Sequence, residues 1–470
     1  MQLQRTKIVC TIGPASSDPA VLRRMVEAGM DVARLNFSHG THPEKKERIR
    51  ALRKISKDLD CPLAIVADLQ GPKLRLGAFE GIREISKGEK LTLSLAPRTD
   101  KELPMQFDLS RFVKKAQRVF LNDGLVELVV VSVVPGRVVT VAQNSGRVSS
   151  HKGINIPDTH LADATFTKKD KEDALFALKE NVDFLALSFV RNKQDLMPAL
   201  ALIKKINPRV KIIAKIEKNE AIENLEEIIE AADAVMVARG DLAIETAASH
   251  VPLLQERIIS LCRQQKKPVI VATQMLESMI ENPRPTRAET SDVANAVMNQ
   301  VDGVMLSAES ASGKYPVEAV AMMNEIIMSV EASHEFKHYI KIQWKGIPHV
   351  ELTVNAIASS ASTLAYHLAA PAIAVATASG RTAQIISSFR PSAHLIAATH
   401  DRDTANQLSL TWGVYPILVK RAANSDLFLK KIIDAIRAQK LVSRGNKIVV
   451  MGGTRVGVSG ATDTIKVVAL

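Results

Sequence analysis

The chain has 470 residues and a formal net charge of +12, too long for one ordinary core and roughly right for two to four domains. Apolar residues make up 46% of it but aromatics only 4%. The cores must therefore be aliphatic, as suits parallel strands buried on both faces, and a disordered chain is excluded. The basic residues are scattered along helical segments, as in Lys45-Lys46-Glu47-Arg48 and Lys168-Lys169-Asp170-Lys171, with no long run and no interleaved aromatics. That argues against a nucleic-acid partner and for clefts that attract polyanionic metabolites. Cys10, Cys61 and Cys262 stand far apart, with no metal-ligand or redox spacing. No leader opens the sequence and no apolar run approaches the roughly 18 residues of a spanning helix, so a cytoplasmic protein without a membrane partner is expected.

In chain order, Thr6 to Ile12 reads as a strand and Pro19 to Ala28 as a helix stopped by Gly29. Asp31 to Phe37 is a second strand, Pro43 to Asp60 an amphipathic helix and Leu63 to Leu69 a third strand. From Pro72 to Phe166 the pattern changes. Leu91 to Leu95, Arg118 to Leu121, Val126 to Val134 and Val138 to Ala142 are short Val- and Leu-rich runs split by turns such as Pro135-Gly136. An all-β insert, a small barrel, is expected at 72–166. The βα alternation then resumes, with strands at Phe184 to Phe189, Lys211 to Ile216, Ala234 to Ala238, Pro268 to Thr273 and Gly303 to Leu306. Helices are expected at Lys169 to Asn181, Gln194 to Ile206, Glu220 to Ala231, Leu253 to Lys266 and Val317 to Ala332. Three strands before the insert and five after it predict an α/β TIM (β/α)8 barrel over 1–71 and 167–340, with the insert as a lid after strand three. His334 to Val350 reads as a linker. Beyond it helices and strands alternate again, which predicts an open α/β domain at 350–470.

Barrel enzymes carry their chemistry at the C-terminal ends of the strands. Strand two ends in Arg34-Leu35-Asn36-Phe37-Ser38-His39-Gly40, and strand three in Asp68-Leu69-Gln70-Gly71-Pro72-Lys73-Leu74-Arg75. Strand five ends in Lys215-Ile216-Glu217, strand six in Ala238-Arg239-Gly240-Asp241 and strand seven in Thr273-Gln274. One mouth would then hold Arg34, Lys73, Arg75 and Lys215 beside Asp68, Glu217 and Asp241. Glu217 and Asp241 offer the hard oxygen ligands that Mg²⁺ prefers, and the arginines can fork onto a phosphoryl group. Phosphoryl transfer asks for that positioning and charge neutralisation. Taken singly each motif is bland. A lone Lys-x-Glu on a strand is more often a surface ion pair, Arg239-Gly240-Asp241 is a common turn, and a metal-dependent keto-acid aldolase would show much the same set.

The longer motifs resemble the pyruvate kinase family. They are Arg34 to Gly40, Lys215 to Glu217, Val235-Met236-Val237-Ala238-Arg239-Gly240-Asp241, Ala272 to Met279, Asn282 to Glu289 and Asp292 to Ala296. The resemblance runs from Arg5 to about Pro316 and continues more weakly through the C-terminal domain. It implies transfer of the phosphoryl group of phosphoenolpyruvate to ADP, the final step of glycolysis. By the same resemblance Lys215 stabilises the transferring group and the enolate, and Glu217 and Asp241 hold Mg²⁺ or Mn²⁺. Arg34 and Arg75 contact the phosphoryl group, and the backbone of Ala238, Gly240 and Asp241 receives the substrate carboxylate with Thr273. Thr273 is also linked to enolpyruvate protonation. Asn36, His39, Arg75 and Lys152 match nucleotide-binding positions, and the insert matches a mobile lid. A homotetramer is implied too. The rival class, an inactive barrel kept as a regulatory or RNA-binding partner, sits poorly with intact Lys215, Glu217, Asp241 and Thr273.

The sequence departs from the family pattern at Asp241-Leu242-Ala243-Ile244-Glu245-Thr246, at Asn122, and at Leu69, Gln70 and Lys73. The last matters most. Asn36, Ser38, Asp68 and the Leu69 carbonyl match the ligands of a monovalent cation, and where most members have Glu this chain has Lys73. A fixed ammonium there predicts a K⁺-independent enzyme. In the C-terminal domain, Thr377-Ala378-Ser379-Gly380-Arg381-Thr382 lies at a strand-to-helix turn with hydroxyls and backbone N–H groups suited to an anion. The family places a phosphorylated effector at this turn, and the Ser-Gly-Arg-Thr form resembles members activated by AMP or sugar monophosphates.

Overall fold

The computed structural model of the protein describes residues 4–99, 101–159, 165–333, 352–422, 424–453 and 462–470. The chain opens with strands β1 (Lys7–Thr11), β2 (Met30–Asn36) and β3 (Ala64–Asp68), linked by helices Pro19–Ala28 and His42–Asp58. Asp18 caps the first helix by accepting from the Ala20 and Val21 N–H groups, and Gly29 ends it at φ +123°.

The insert follows. Strands β4 (Ile82–Ile85), β5 (Lys90–Ser94), β6 (Glu102–Pro104), β7 (Arg118–Leu121), β8 (Val126–Val134), β9 (Arg137–Ala142), β10 (Gly146–Ser149) and β11 (Ile154–Asn155) make it all-β, as expected. β11-β7-β8-β9-β5-β6 form one sheet, and β10 pairs with β4 in a second. The expected small barrel is present, because residues 74–77 bond to both edges of the larger sheet: the Ile154 N–H reaches the Leu74 carbonyl and the Leu76 N–H the Lys152 carbonyl, each at 2.9 Å, while the Gly77 N–H reaches the Pro104 carbonyl at 2.8 Å and the Gln106 N–H the Arg75 carbonyl at 3.2 Å. Ile85 and Val148 enter the same apolar core as Leu93, Leu121 and Leu128, and the β4 and β10 backbones pair with each other. The two sheets are joined by packing and by the Asn122 side chain, which donates to the Arg147 carbonyl of β10 at 3.0 Å.

Five more strands complete the barrel: β12 (Phe184–Leu187), β13 (Lys211–Ile216), β14 (Ala234–Ala238), β15 (Val269–Ala272) and β16 (Gly303–Leu306). All eight are parallel and close in the order β1-β16-β15-β14-β13-β12-β3-β2. Val9, Val32, Ala64, Val66, Phe184, Ala186, Ile213, Ala234, Met236, Ile270, Ala272 and Met305 fill the interior. Pleat alternation fixes what comes above them. Two residues further along the strands stand Thr11, Arg34, Asp68, Ser188, Lys215 and Ala238, so the polar groups form the next layer, on a water-excluding aliphatic floor. The helix expected at Gln194 to Ile206 starts as a 3-10 turn before Met197–Ile206, and the one expected at Glu220 to Ala231 breaks at Asn224.

The expected linker lies outside the described residues, and the chain re-enters description at helix Leu352–His367. Strands β17 (Ala372–Ala376), β18 (His394–Thr399), β19 (Val414–Leu418), β20 (Lys447–Gly453) and β21 (Thr462–Ala469) form an open sheet in the order β19-β18-β17-β20-β21, antiparallel only at β21. This domain docks under the barrel, where Leu410 joins the interior cluster from below. No helix among the described residues is long and apolar enough to cross a membrane.

Candidate active site

The polar layer is one connected network. Asn36 stands beside Asp68, and Asp68 beside Ala186, which sets the ends of β2, β3 and β12 level. Arg34 donates from Nε to Asp68 Oδ2 at 2.6 Å and from Nη1 to Thr11 Oγ1 at 2.8 Å. The Lys215 ammonium lies 3.3 Å from Asp68 Oδ1 and 2.9 Å from Glu217 Oε1, and donates to Ser188 Oγ at 2.7 Å. Ser188 passes the network on to the Leu69 carbonyl at 2.8 Å. Asp68 and Glu217 are each 1% exposed and Lys215 is 9% exposed.

Burial sets the electrostatics. It acts to lower Lys215, but the Asp68 and Glu217 charges outweigh it and push the ammonium up to about 12. The same balance holds Asp68 low: burial would raise it, and Lys215 and Arg34 win. Glu217 goes the other way. Burial raises it, the Asp241 charge adds to the rise, and Lys215 pulls back only in part. Glu217 and Asp241 are thus two neighbouring carboxylates whose charges act on each other. That donor set fits a divalent metal, with the remaining positions left for substrate oxygens.

Asp241 sits in a short helix, Arg239–Glu245, where the sequence alone allowed a common turn. A tertiary clamp makes the difference. Arg239 pairs with Asp292 at 2.7 Å and donates to the carbonyls of Thr273 and Gln274 at 2.7 and 3.3 Å. Those two residues have φ of +71° and +53°, and Phe189 has +58°. Left-handed backbone at non-glycine positions costs on the order of 1–3 kcal/mol, and it clusters where surrounding contacts over-determine a site. Phe189 is held by its N–H bond to Glu217 Oε2 at 2.7 Å. The Gly240 N–H reaches Thr273 Oγ1 at 2.9 Å, and that hydroxyl donates to the Ala272 carbonyl at 2.6 Å.

Beside this network lies a looser, cationic group. Lys45 donates to the Asn36 carbonyl at 2.8 Å, and the Asn36 side chain accepts the Ser38 N–H at 2.9 Å. Burial, with Arg48 and Arg34 adding to it, brings the Lys45 ammonium down to about 8. His39 is lowered by burial and then by the charges of Arg75, Lys45, Lys73 and Arg34. Arg75 donates to the His151 carbonyl at 3.0 Å, and Lys73 faces Asp123 of the lid at 3.8 Å. The Lys152 carbonyl is anchored by the Leu76 N–H at 2.9 Å. The structure therefore gathers Arg34, Asp68, Lys215 and Glu217 in one hydrogen-bonded cluster, with Asp241 alongside. His39, Lys73 and Arg75 lie together at the lid side. Ser188, Thr11, Lys45 and the Arg239–Asp292 clamp were not singled out from the sequence. Ser188 could have been found by applying the strand-end rule to strand four.

In the C-terminal domain, Gly380 takes φ +83° at the start of helix Arg381–Ser388. Two of the expected anion donors are already engaged. The Gly380 N–H goes to Thr377 Oγ1 at 3.0 Å, and the Thr382 hydroxyl shares a 3.0 Å bond with that of Thr462. Arg381 Nη1 reaches the Lys266 carbonyl on the barrel at 3.5 Å.

Comparison with known proteins agrees with this geometry. The family model for the pyruvate kinase barrel domain matches residues 3–320, and that for the pyruvate kinase alpha/beta domain matches 355–468. The pyruvate kinase of Sporosarcina psychrophila is 40% identical over 472 residues, covering 99% of this chain and 80% of its own length. That of Staphylococcus aureus strain MRSA252 is 40% identical over 471 residues with the same coverage. With a closed barrel, a β lid and an acid–base layer at the strand ends where those motifs fall, the chain belongs to the pyruvate kinase family.

Proposed function

We propose that the barrel mouth performs the family's reaction, moving the phosphoryl group of phosphoenolpyruvate to ADP, with Lys215 as the fixed cation that meets the developing negative charge. The observation that carries this reading is the placement of its ammonium between Asp68 and Glu217, on a dry floor, with its proton held firmly. Arg34 spends Nε and Nη1 on Asp68 and Thr11, which presents Nη2 to phosphoryl oxygens. A substrate carboxylate entering beside Arg239–Glu245 would exchange Thr273 Oγ1 for itself on the Gly240 N–H. The phosphorus–oxygen bond to the enolate breaks as one forms to the terminal ADP oxygen, and the enolate carbon then takes a proton on the Thr273 side. Glu217 and Asp241 would hold Mg²⁺ or Mn²⁺, which supplies Lewis-acid neutralisation of the substrate oxygens. His39, Arg75 and Lys152 serve the nucleotide. A coupled assay of pyruvate formation tests the reading; keto-acid cleavage without ADP dependence would replace it with an aldolase.

The same reading makes the enzyme K⁺-independent. The Leu69 carbonyl, the Asn36 side-chain oxygen and Asp68 Oδ2 already accept protein hydrogen bonds, the Lys215 ammonium stands 3.3 Å from Asp68 Oδ1, and Lys73 adds a positive charge beside His39. Turnover in tetramethylammonium buffer should match that in K⁺, and Lys73→Glu should create a K⁺ requirement or cut turnover without K⁺. Many-fold activation of the parent enzyme by K⁺ overturns this. The turn Thr377 to Thr382 is read as the seat of a phosphorylated effector, AMP or a sugar monophosphate. An occupant there would adjoin Arg381, which bridges to the barrel. Activation that survives Ser379→Glu would sink that assignment. Assembly as a homotetramer in the cytoplasm completes the reading, and sedimentation tests the assembly.

A further inference from the structure

The helix Arg239–Glu245 carries Asp241 in its first turn, and four residues later Glu245 lies on the same face. Glu245 is 6% exposed. One of its oxygens, Oε1, receives two donors from different parts of the molecule. Lys218 Nζ reaches it at 2.6 Å from the residue after Glu217. Asn155 Nδ2 reaches it at 3.4 Å from strand β11 of the lid. Asn155 is itself 9% exposed, so this contact sits inside the lid–barrel seam.

The lid meets the same helix at a second point. The hairpin turn Asn122, Asp123, Gly124 has φ of +54°, +54° and +86°. Gly124 approaches Ile244 so closely that an added Cβ would stand 3.1 Å from its Cγ1. Both contact points belong to one rigid piece of the lid, because the Asn122 N–H bonds to the Gly153 carbonyl at 3.0 Å and β11 pairs with β7. Lys152 is three residues before Asn155, in the segment that leads into that strand. The Lys218–Glu245–Asn155 bridge therefore joins the Glu217 segment, the Asp241 helix and the lid segment that carries Lys152 into β11.

We propose that Glu245 is a positioning residue that holds the lid at its working distance from the two metal-binding carboxylates, so that Lys152 meets the nucleotide and water is kept out. The bridge is ionic on the barrel side and a single amide contact on the lid side. It is thus strong where it must be permanent and weak where the lid must open and close. Loosening it leaves the Asp68, Lys215 and Arg34 network intact but lets the lid sit away from the mouth. In that state water can take the place of ADP at phosphorus, and the same phosphorus–oxygen bond breaks to give pyruvate and inorganic phosphate. The inference rests on the catalytic roles proposed above.

The test compares Glu245→Ala, Lys218→Met and Asn155→Ala with the parent enzyme, scoring pyruvate formed with ADP and phosphate released without it. Each variant should raise the KM for ADP about tenfold, move the KM for phosphoenolpyruvate less than about twofold, and raise the ADP-independent share of turnover several-fold. Glu245→Ala with Asn155→Ala together should be little worse than Glu245→Ala alone, since both remove one contact. Glu245→Gln, which keeps an acceptor for Asn155, should recover part of the loss. If Glu245→Ala does not fold, Asn155→Ala alters only the lid side and carries the test. Lowered stability with unchanged ADP KM and unchanged phosphate leakage would overturn the proposal. Failure of the parent enzyme to make pyruvate from phosphoenolpyruvate and ADP would instead overturn the roles beneath it.

Discussion

At the floor of the barrel Asp302 accepts Arg390 Nη1 and Nη2 at 3.2 and 3.0 Å, the Trp412 N–H at 3.1 Å and the Val269 N–H at 3.1 Å. The Arg390 guanidinium lies 4.9 Å over the Trp412 ring, and both members of the ion pair are almost fully buried. One carboxylate meets one guanidinium, and each Asp302 oxygen is saturated. In the hydrogen-bonded cluster at the mouth, inside the looser cationic group, three carboxylates, Asp68, Glu217 and Asp241, stand against two cations, Arg34 and Lys215. Lys215 is shared, and the excess negative charge lies between Glu217 and Asp241. The same barrel therefore buries charge in two ways. The floor is balanced and works as a clasp between domains. The inner cluster at the mouth is short of positive charge by an amount that a divalent cation would reverse, after which it would suit an anionic substrate.

Substitution at each end should separate the two designs. Lys215→Met removes the charge that answers the transition state, so kcat should fall by about 10³-fold or more, with the KM for phosphoenolpyruvate within a few-fold. It also strands Asp68 and Glu217, so thermal stability should drop, and Mg²⁺ should restore part of it because the metal partly replaces the missing charge. Turnover within tenfold of the parent would remove Lys215 from its role. Asp302→Ala at the floor should do the converse. It leaves Arg390 buried and unpaired, at about 3–5 kcal/mol, while kcat of the folded fraction changes less than about twofold. Denaturant unfolding followed by kinetics on the native fraction reads both numbers. A large kcat loss with little destabilisation would mean that the floor is more than a clasp.

The barrel was legible because its strands are aliphatic runs buried on both faces, and the charged residues at their ends follow from pleat and topology. Arg34, Asp68, Lys215 and Glu217 could be placed together without coordinates for that reason. Ser188 escaped because Ser-Phe at a strand end carries no charge to draw attention. The helix Arg239–Glu245 escaped because Arg-Gly-Asp has local turn character, and what makes it helical is Asp292, 53 residues on. The left-handed backbone at Phe189, Thr273 and Gln274 leaves no trace in residue type, since none is glycine and long-range contacts hold each. The closure of the lid depends on the irregular residues 74–77 bonding to both sheet edges, and alternation patterns do not record that.

The smallest expected effect concerns pH and tests how completely the floor is balanced. His394 begins β18 at the seam with β1. Burial lowers its imidazole first, and the charges of Arg5 and Lys7 lower it further, down to about 4. Each of those cations has an acidic partner: Glu331 lies 3.9 Å from Arg5, and Asp31 lies 3.5 Å from Lys7. Among the described residues no carboxylate acts to raise His394. Its folded pKa lies below the ordinary value of about 6.5, so between pH 6.5 and 4 the unfolded chain binds a proton that the folded chain does not. The stability from neutral burial is complete above pH 6.5 and is lost as pH falls toward 4. Part of the ring still reaches solvent, so the loss should be about 1–2 kcal/mol. His394→Gln removes the titration, and its unfolding free energy should fall less than the parent's between pH 7.5 and 5. Equal losses in the two proteins would mean that His394 finds a compensating partner, and the floor would then have to be redrawn as balanced around the histidine as well.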